Sequence, residues 1–186
     1  MKKFIALFTL LFSLQSQAAL LTVKLDTDQF KVGDAVIADI WISELTEPLA
    51  AFDLALLFDS NIFQFNQLVF GDKLTVFAPT IQDQSVSGNL LSLSELNWDA
   101  YDYELAALQG TEFKLANIRF TAIGGGIFNL TLDSFLLTAA SGFEFDASLI
   151  KVTNAQGNVV PAPATALLLL PGLWFLARRR AAVSAK

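Results

Sequence analysis

The residues best suited to chemistry in this chain gather between positions 98 and 104: Trp98, Asp99, Tyr101, Asp102, Tyr103 and Glu104. Aromatic rings beside carboxylates suit sugar recognition, the rings for stacking and the acids as acceptors for hydroxyls. That use calls for an exposed, coplanar pair among Trp98, Tyr101 and Tyr103. The same oxygens suit Ca²⁺, a hard cation, but the spacing is not that of a defined Ca²⁺ loop. The plainer reading, which the spacing favours, is a strand end with a core Trp98 and a solvated acidic loop.

Catalysis finds little support. A pair such as Asp99 with Glu104, or Asp26 with Asp28, could in principle serve glycoside hydrolysis. All 18 acids lie between Asp26 and Asp146, however, so some pair arises by chance. The chain has no cysteine and no histidine. That removes Ser-His-Asp triads, thiol nucleophiles, disulfides and the usual zinc sites. Gly124-Gly125-Gly126 opens a strand pattern instead of a helix, so it is not a phosphate cradle. Asn129-Leu130-Thr131 fits a glycosylation sequon but falls inside a strand pattern. No cofactor is expected, and Ca²⁺ is the one ion left open.

Three compositions divide the 186 residues. Residues 1–18 read as a signal peptide. Lys2 and Lys3 precede an apolar run from Phe4 to Leu14, and Ser16-Gln17-Ala18 supplies small-x-small before a cut between Ala18 and Ala19. At the other end, Val159 to Ala177 would span about 28 Å as a helix, against about 30 Å of hydrocarbon core. Pro171-Gly172 interrupts that stretch, Trp174 suits the interface, and Arg178, Arg179 and Arg180 suit the cytoplasmic side. Between the ends, 18 acids face 6 bases. That acidity argues against nucleic-acid binding, which needs a basic face.

The body shows mostly a period of two. Leu21, Val23 and Leu25 alternate with Thr22 and Lys24; Phe52, Leu54, Leu56 and Phe58 alternate, as do Phe128, Leu130 and Leu132. This is the pattern of strands with one face in a core. Turn residues punctuate the runs at Gly33-Asp34, Asp59-Ser60-Asn61, Ser87-Gly88-Asn89 and Gly124-Gly125-Gly126, and Asn154 to Asn158 is expected to close a last hairpin. The best helical candidate is Tyr103 to Gln109, stopped by Gly110. Trp41 lies on a strand pattern and reads as core or cross-strand packing. The expectation is an all-β, antiparallel sandwich of jelly-roll type, with eight or nine strands over 19–159. A signal helix and a transmembrane sorting helix (160–186) flank it.

Two resemblances add to this. Val160, Pro161, Pro163, Ala164 and Thr165, the apolar span that follows and Arg178–Arg180 together resemble a PEP-CTERM sorting signal, with Ala162 where that family carries its central Glu. The resemblance implies export from a Gram-negative bacterium. It implies retention as a single-pass inner-membrane protein with a cytoplasmic C-terminus, then processing by an exosortase-type enzyme. Delivery would be to the cell surface or biofilm matrix. Within the body, Val32-Gly33-Asp34 before Ala35–Ile42, Leu49-Ala50-Ala51-Phe52 running into Leu54–Phe58, and Asp59-Ser60-Asn61-Ile62-Phe63-Gln64-Phe65 resemble a cohesin-like domain. Gly110, Phe113–Phe120 and Leu130–Leu132 complete that likeness. It implies a sandwich that works by binding. The reading is an exported, non-catalytic surface or matrix protein whose partner is an exopolysaccharide or another surface protein. A carbohydrate-binding module is the alternative, and a glycoside hydrolase is the least favoured.

Overall fold

A computed structural model describes residues 19–76 and 78–161. The signal segment with Ala18, and Pro163, Ala164, Thr165 and Arg178–Arg180 of the sorting signal, lie outside the described residues. Among the described residues no helix is long and apolar enough to cross a membrane.

Eleven strands form, in chain order β1 Leu20–Leu25, β2 Gln29–Lys31, β3 Ala35–Ser43, β4 Leu49–Leu57, β5 Phe63–Phe70, β6 Ile81–Ser87, β7 Leu90–Leu96, β8 Glu112–Ala122, β9 Gly126–Ala139, β10 Lys151–Thr153 and β11 Ala155–Val160. One α-helix, α1 Asp102–Gln109, connects β7 to β8, and a 3₁₀ turn, Ala147–Leu149, precedes β10. The strands make a five-stranded sheet ordered β10-β1-β3-β8-β5 and a six-stranded sheet ordered β2-β11-β9-β4-β7-β6. Alternation places the core. Leu21 and Val23, then Val36, Ala38, Ile40 and Ile42, and Phe52, Leu54 and Leu56 all point inward between the sheets. Phenylalanines fill the gap at one end: the Phe63 and Phe128 rings meet edge to face at 4.6 Å, and Phe58 and Phe120 lie 5.2 Å apart. Each fully buried Phe contributes roughly 2–3 kcal/mol of transfer free energy.

Three expectations need correction. There are eleven strands among the described residues, not eight or nine. The extra ones are short or exposed: β2 has three residues, and every residue of β6 is exposed. Neither can show an apolar period, because each is too short or has no buried face. The sandwich is also not wholly antiparallel, since β10 runs parallel to β1 and β11 parallel to β2. Finally, β10 and β11 are no hairpin. The chain changes sheets at Asn154, whose side-chain oxygen accepts from the Leu132 N–H at 3.0 Å. Strands β1 and β2 change sheets in the same way, so the two ends of the sandwich run side by side. Val160, read from sequence as the start of the sorting signal, is the last residue of β11, and its carbonyl accepts from Val32 N–H at 3.1 Å.

Candidate functional site

The residues singled out from sequence sit together on the connection between β7 and β8. Along β7 the inward positions are Leu91, Leu93 and Glu95, and the phase carries on to buried Asn97. Trp98 is one step out of that phase. It therefore points to solvent and is 68% exposed, which corrects the expectation of a core Trp. Asn97 sets the path of the loop. Its side-chain oxygen accepts from Asp99 N–H at 3.1 Å and Ala100 N–H at 2.9 Å, and its amide nitrogen donates to Leu74 C=O at 2.5 Å.

Helix α1 follows at once. The Glu104 carboxylate accepts from Tyr101 N–H at 2.9 Å, satisfying a donor at the helix start, and Asp102 accepts from Tyr103 N–H at 2.8 Å. Both acids lie in the first turn, where the helix dipole favours them. Gly110 ends the helix at φ 64°, as expected. The helix docks through Leu105 and Gln109, both buried. The Gln109 amide behaves as a substitute strand: it accepts from Leu49 N–H at 2.8 Å and donates to Leu49 C=O at 2.6 Å.

The aromatic side chains of this loop are exposed. The Tyr101 and Tyr103 rings lie parallel, 10° apart in plane with centroids 5.7 Å apart, and stack on each other. The negative charge of Glu104 raises the pKa of the Tyr103 phenol, and the hydroxyl donates to Glu104 at 3.3 Å. The Glu104 and Asp102 oxygens are thus engaged by backbone N–H groups and a phenol. Asp99 is exposed beside them. Among the described residues no group of three or more acids is placed to hold a metal ion.

Two features were not anticipated. Glu95 falls on the inward phase of β7 and is 1% exposed. One oxygen accepts from the Thr80 hydroxyl at 2.6 Å and Gln82 Nε2 at 2.8 Å; the other has no partner. Burial raises its pKa, and the two donors offset this in part. Its signal was legible as a carboxylate in register with Leu91 and Leu93. The second feature is on the outer face of the six-stranded sheet. Ile81, Leu96 and Leu136 are exposed around a depression of about 250 Å³ that Ala51 and Thr138 also line. Cross-strand register puts Asp83, Ser94 and Asp53 in the next row of that face. No periodicity marks this patch, because its residues come from three strands far apart in sequence.

On the opposite sheet, Trp41 is half-buried across from Thr22 and Lys114. The ammonium groups of Lys24 and Lys114 lie 4.6 and 5.5 Å from its ring. They also pair with Glu112 at 2.6 Å and Asp39 at 2.9 Å. This is the cross-strand packing expected of Trp41.

No family model matches the sequence, and no curated protein matches it. Solved structures do share the fold. The second type II cohesin module of the ScaA adaptor scaffoldin from Acetivibrio cellulolyticus superposes with a TM-score of 0.64 at 14% identity, over 78% of this chain and 99% of that one. A non-cellulosomal cohesin from Archaeoglobus fulgidus gives 0.59 at 12% identity, over 77% and 91%. A cohesin solved in complex with a dockerin from Clostridium thermocellum gives 0.62 at 13% identity, over 78% and 95%. The body of this chain therefore has a cohesin-like fold.

Proposed function

We propose that the sandwich is a non-catalytic binding module that works at the cell surface or in the extracellular matrix. The observation that carries this is the cohesin-like architecture of the entire body, joined to an exposed apolar patch on one sheet. Ile81, Leu96 and Leu136 form an anchor site, and Asp53 and Asp83 beside it favour a partner rimmed by basic residues. In the complex from Clostridium thermocellum the partner is a dockerin; here the reading is another surface protein, of chemistry complementary to this patch. Export and anchoring belong to the ends of the chain. Residues 1–18 are removed by cleavage after Ala18. The 160–186 segment holds the chain in the inner membrane until an exosortase-type enzyme releases it.

A second reading, binding to the host exopolysaccharide, is favoured by Trp98, Tyr101 and Tyr103, all about two-thirds exposed within one short loop. One set of variants separates the two. Immobilised residues 19–161 should capture a protein from the host's surface fraction, lose it with Leu136→Asp and keep it with Trp98→Ala. Retention on purified exopolysaccharide that is lost with Trp98→Ala and Tyr101→Ala would replace the first reading with the second. Delivery has its own measurement. The intact mass of protein recovered from its host should lack residues 1–18 and part or all of the segment after Val160. A product still ending at Lys186 in the inner membrane would refute the processing step.

A further inference from the structure

The sandwich has four sheet edges, and three of them are blunted. Strands β2 and β10 have three residues each, and each carries a lysine, Lys31 or Lys151. Strand β5 breaks register between Phe65 and Gln67. Short strands, lysines and irregularities are the devices by which edges avoid pairing with other chains. Strand β6 has none of them. Its seven residues, Ile81–Ser87, pair with β7 without a register shift and contain no proline and one charge, Asp83. Every one is exposed, including Gln82, Gln84 and Val86, which share the inward face with buried Leu91 and Leu93 of β7. The five-stranded sheet therefore stops short of β6, and the strand overhangs the core. The overhang is held in place from behind, where Gln82 Nε2 donates to Glu95 at 2.8 Å. A strand held on one side and open on the other is a template for one more strand.

We infer that β6 pairs antiparallel with β6 of a second copy, making a two-fold dimer with a sheet continuous across both molecules. The occupant follows from the strand's own pattern. The register that overlaps all seven residues is centred on Gln84. It sets Ile81 against Ser87, Gln82 against Val86 and Asp83 against Ser85, so the one charge never faces itself. This goes beyond the proposed function: β6 lends Ile81 and Asp83 to the outer patch, but Gln84 lies on the other face of the strand, so loss of the dimer with Gln84→Lys and loss of the partner with Leu136→Asp are distinguishable.

The test uses residues 19–161, which contain both sheets and the whole described core. Sedimentation velocity across micromolar to millimolar protein should show a concentration-dependent dimer. Gln84 is exposed and its side chain bonds nothing among the described residues, so Gln84→Lys and Gln84→Glu leave the monomer's thermal midpoint unchanged. Each places like charges face to face at the two-fold axis and weakens the dimer at least about tenfold. An equal mixture of the two restores association as a heterodimer. A wild-type monomer throughout that range would overturn the inference. So would a Gln84→Lys protein that dimerises as well as wild type, or a mixture that stays monomeric.

Discussion

Gln109 is the residue whose removal tests most directly how the aromatic loop is held. Its side-chain amide closes two hydrogen bonds to Leu49, at 2.8 and 2.6 Å, and Leu49 is completely buried. Asn97 N–H still donates to Ala50 C=O at 2.9 Å, but beyond that point β7 no longer flanks β4. Gln109 takes over where the ladder stops. Gln109→Ala would leave a buried N–H and a buried C=O without partners, at about 1–3 kcal/mol each. The cavity lined by Leu45, Pro48 and Ala106 adjoins the site and would admit some water, which pulls the total toward the low end. The expected loss is about 2–4 kcal/mol, a large share of the usual 5–15 kcal/mol of a domain. Urea unfolding of residues 19–161, followed by Trp fluorescence, measures it. Amide exchange should show lost protection at Leu49. Gln109→Glu adds a check of mechanism, because only its protonated form can donate to the Leu49 carbonyl. Its stability should therefore recover as pH falls. A Gln109→Ala protein within about 0.5 kcal/mol of wild type, with Leu49 still protected, would refute the argument.

Other consequences follow from the same geometry. Burial raises the pKa of Glu95 above its ordinary 4.5, so the unfolded chain ionises first as pH rises. Stability associated with Glu95 is complete below that ordinary value and is lost as pH climbs through the raised one. Glu95→Gln should remove this slope, so that its stability relative to wild type grows between pH 4.5 and 8 in parallel urea titrations; a constant difference would refute the assignment. A Cβ on Gly157 would meet Asp28 C=O at 2.5 Å and the Phe128 ring at 2.6 Å. Gly157→Ala should therefore cost about 1–3 kcal/mol as an overpacked site, read as a lowered thermal midpoint. Trp41→Ala should cost about 1–2 kcal/mol by releasing both lysines and exposing the strand between them, with a double-mutant cycle against Lys24→Ala showing coupling.

The alternating runs of β1, β4 and β9 are legible in the chain because each has one buried face. An alternation of large apolar residues with polar ones has only one place to put its apolar side. The short helix before Gly110 was legible for an equally local reason: a glycine past the last turn and acids in the first. The acidic body between two basic, apolar ends needed only counting. What escaped was whatever depends on partners distant in sequence. Asn154 to Asn158 has the residues of a turn, yet whether two strands form a hairpin or join different sheets depends on β1 and β9, which lie beside them only after folding. Residue type alone points Trp98 to the core. The phase of Leu91, Leu93, Glu95 and Asn97, set by packing against the other sheet, turns it outward. The same packing turns Asn97 and Gln109 inward, where their amides replace missing strand partners, and composition cannot distinguish such amides from those in solvent. The patch of Ile81, Leu96 and Leu136 exists only through register across three strands. Local pattern decides which residues form strands and which faces they bury. Which strands meet, and so which side chains share a surface, is decided by long-range pairing, which is why the exposed apolar patch belongs to the tertiary structure alone.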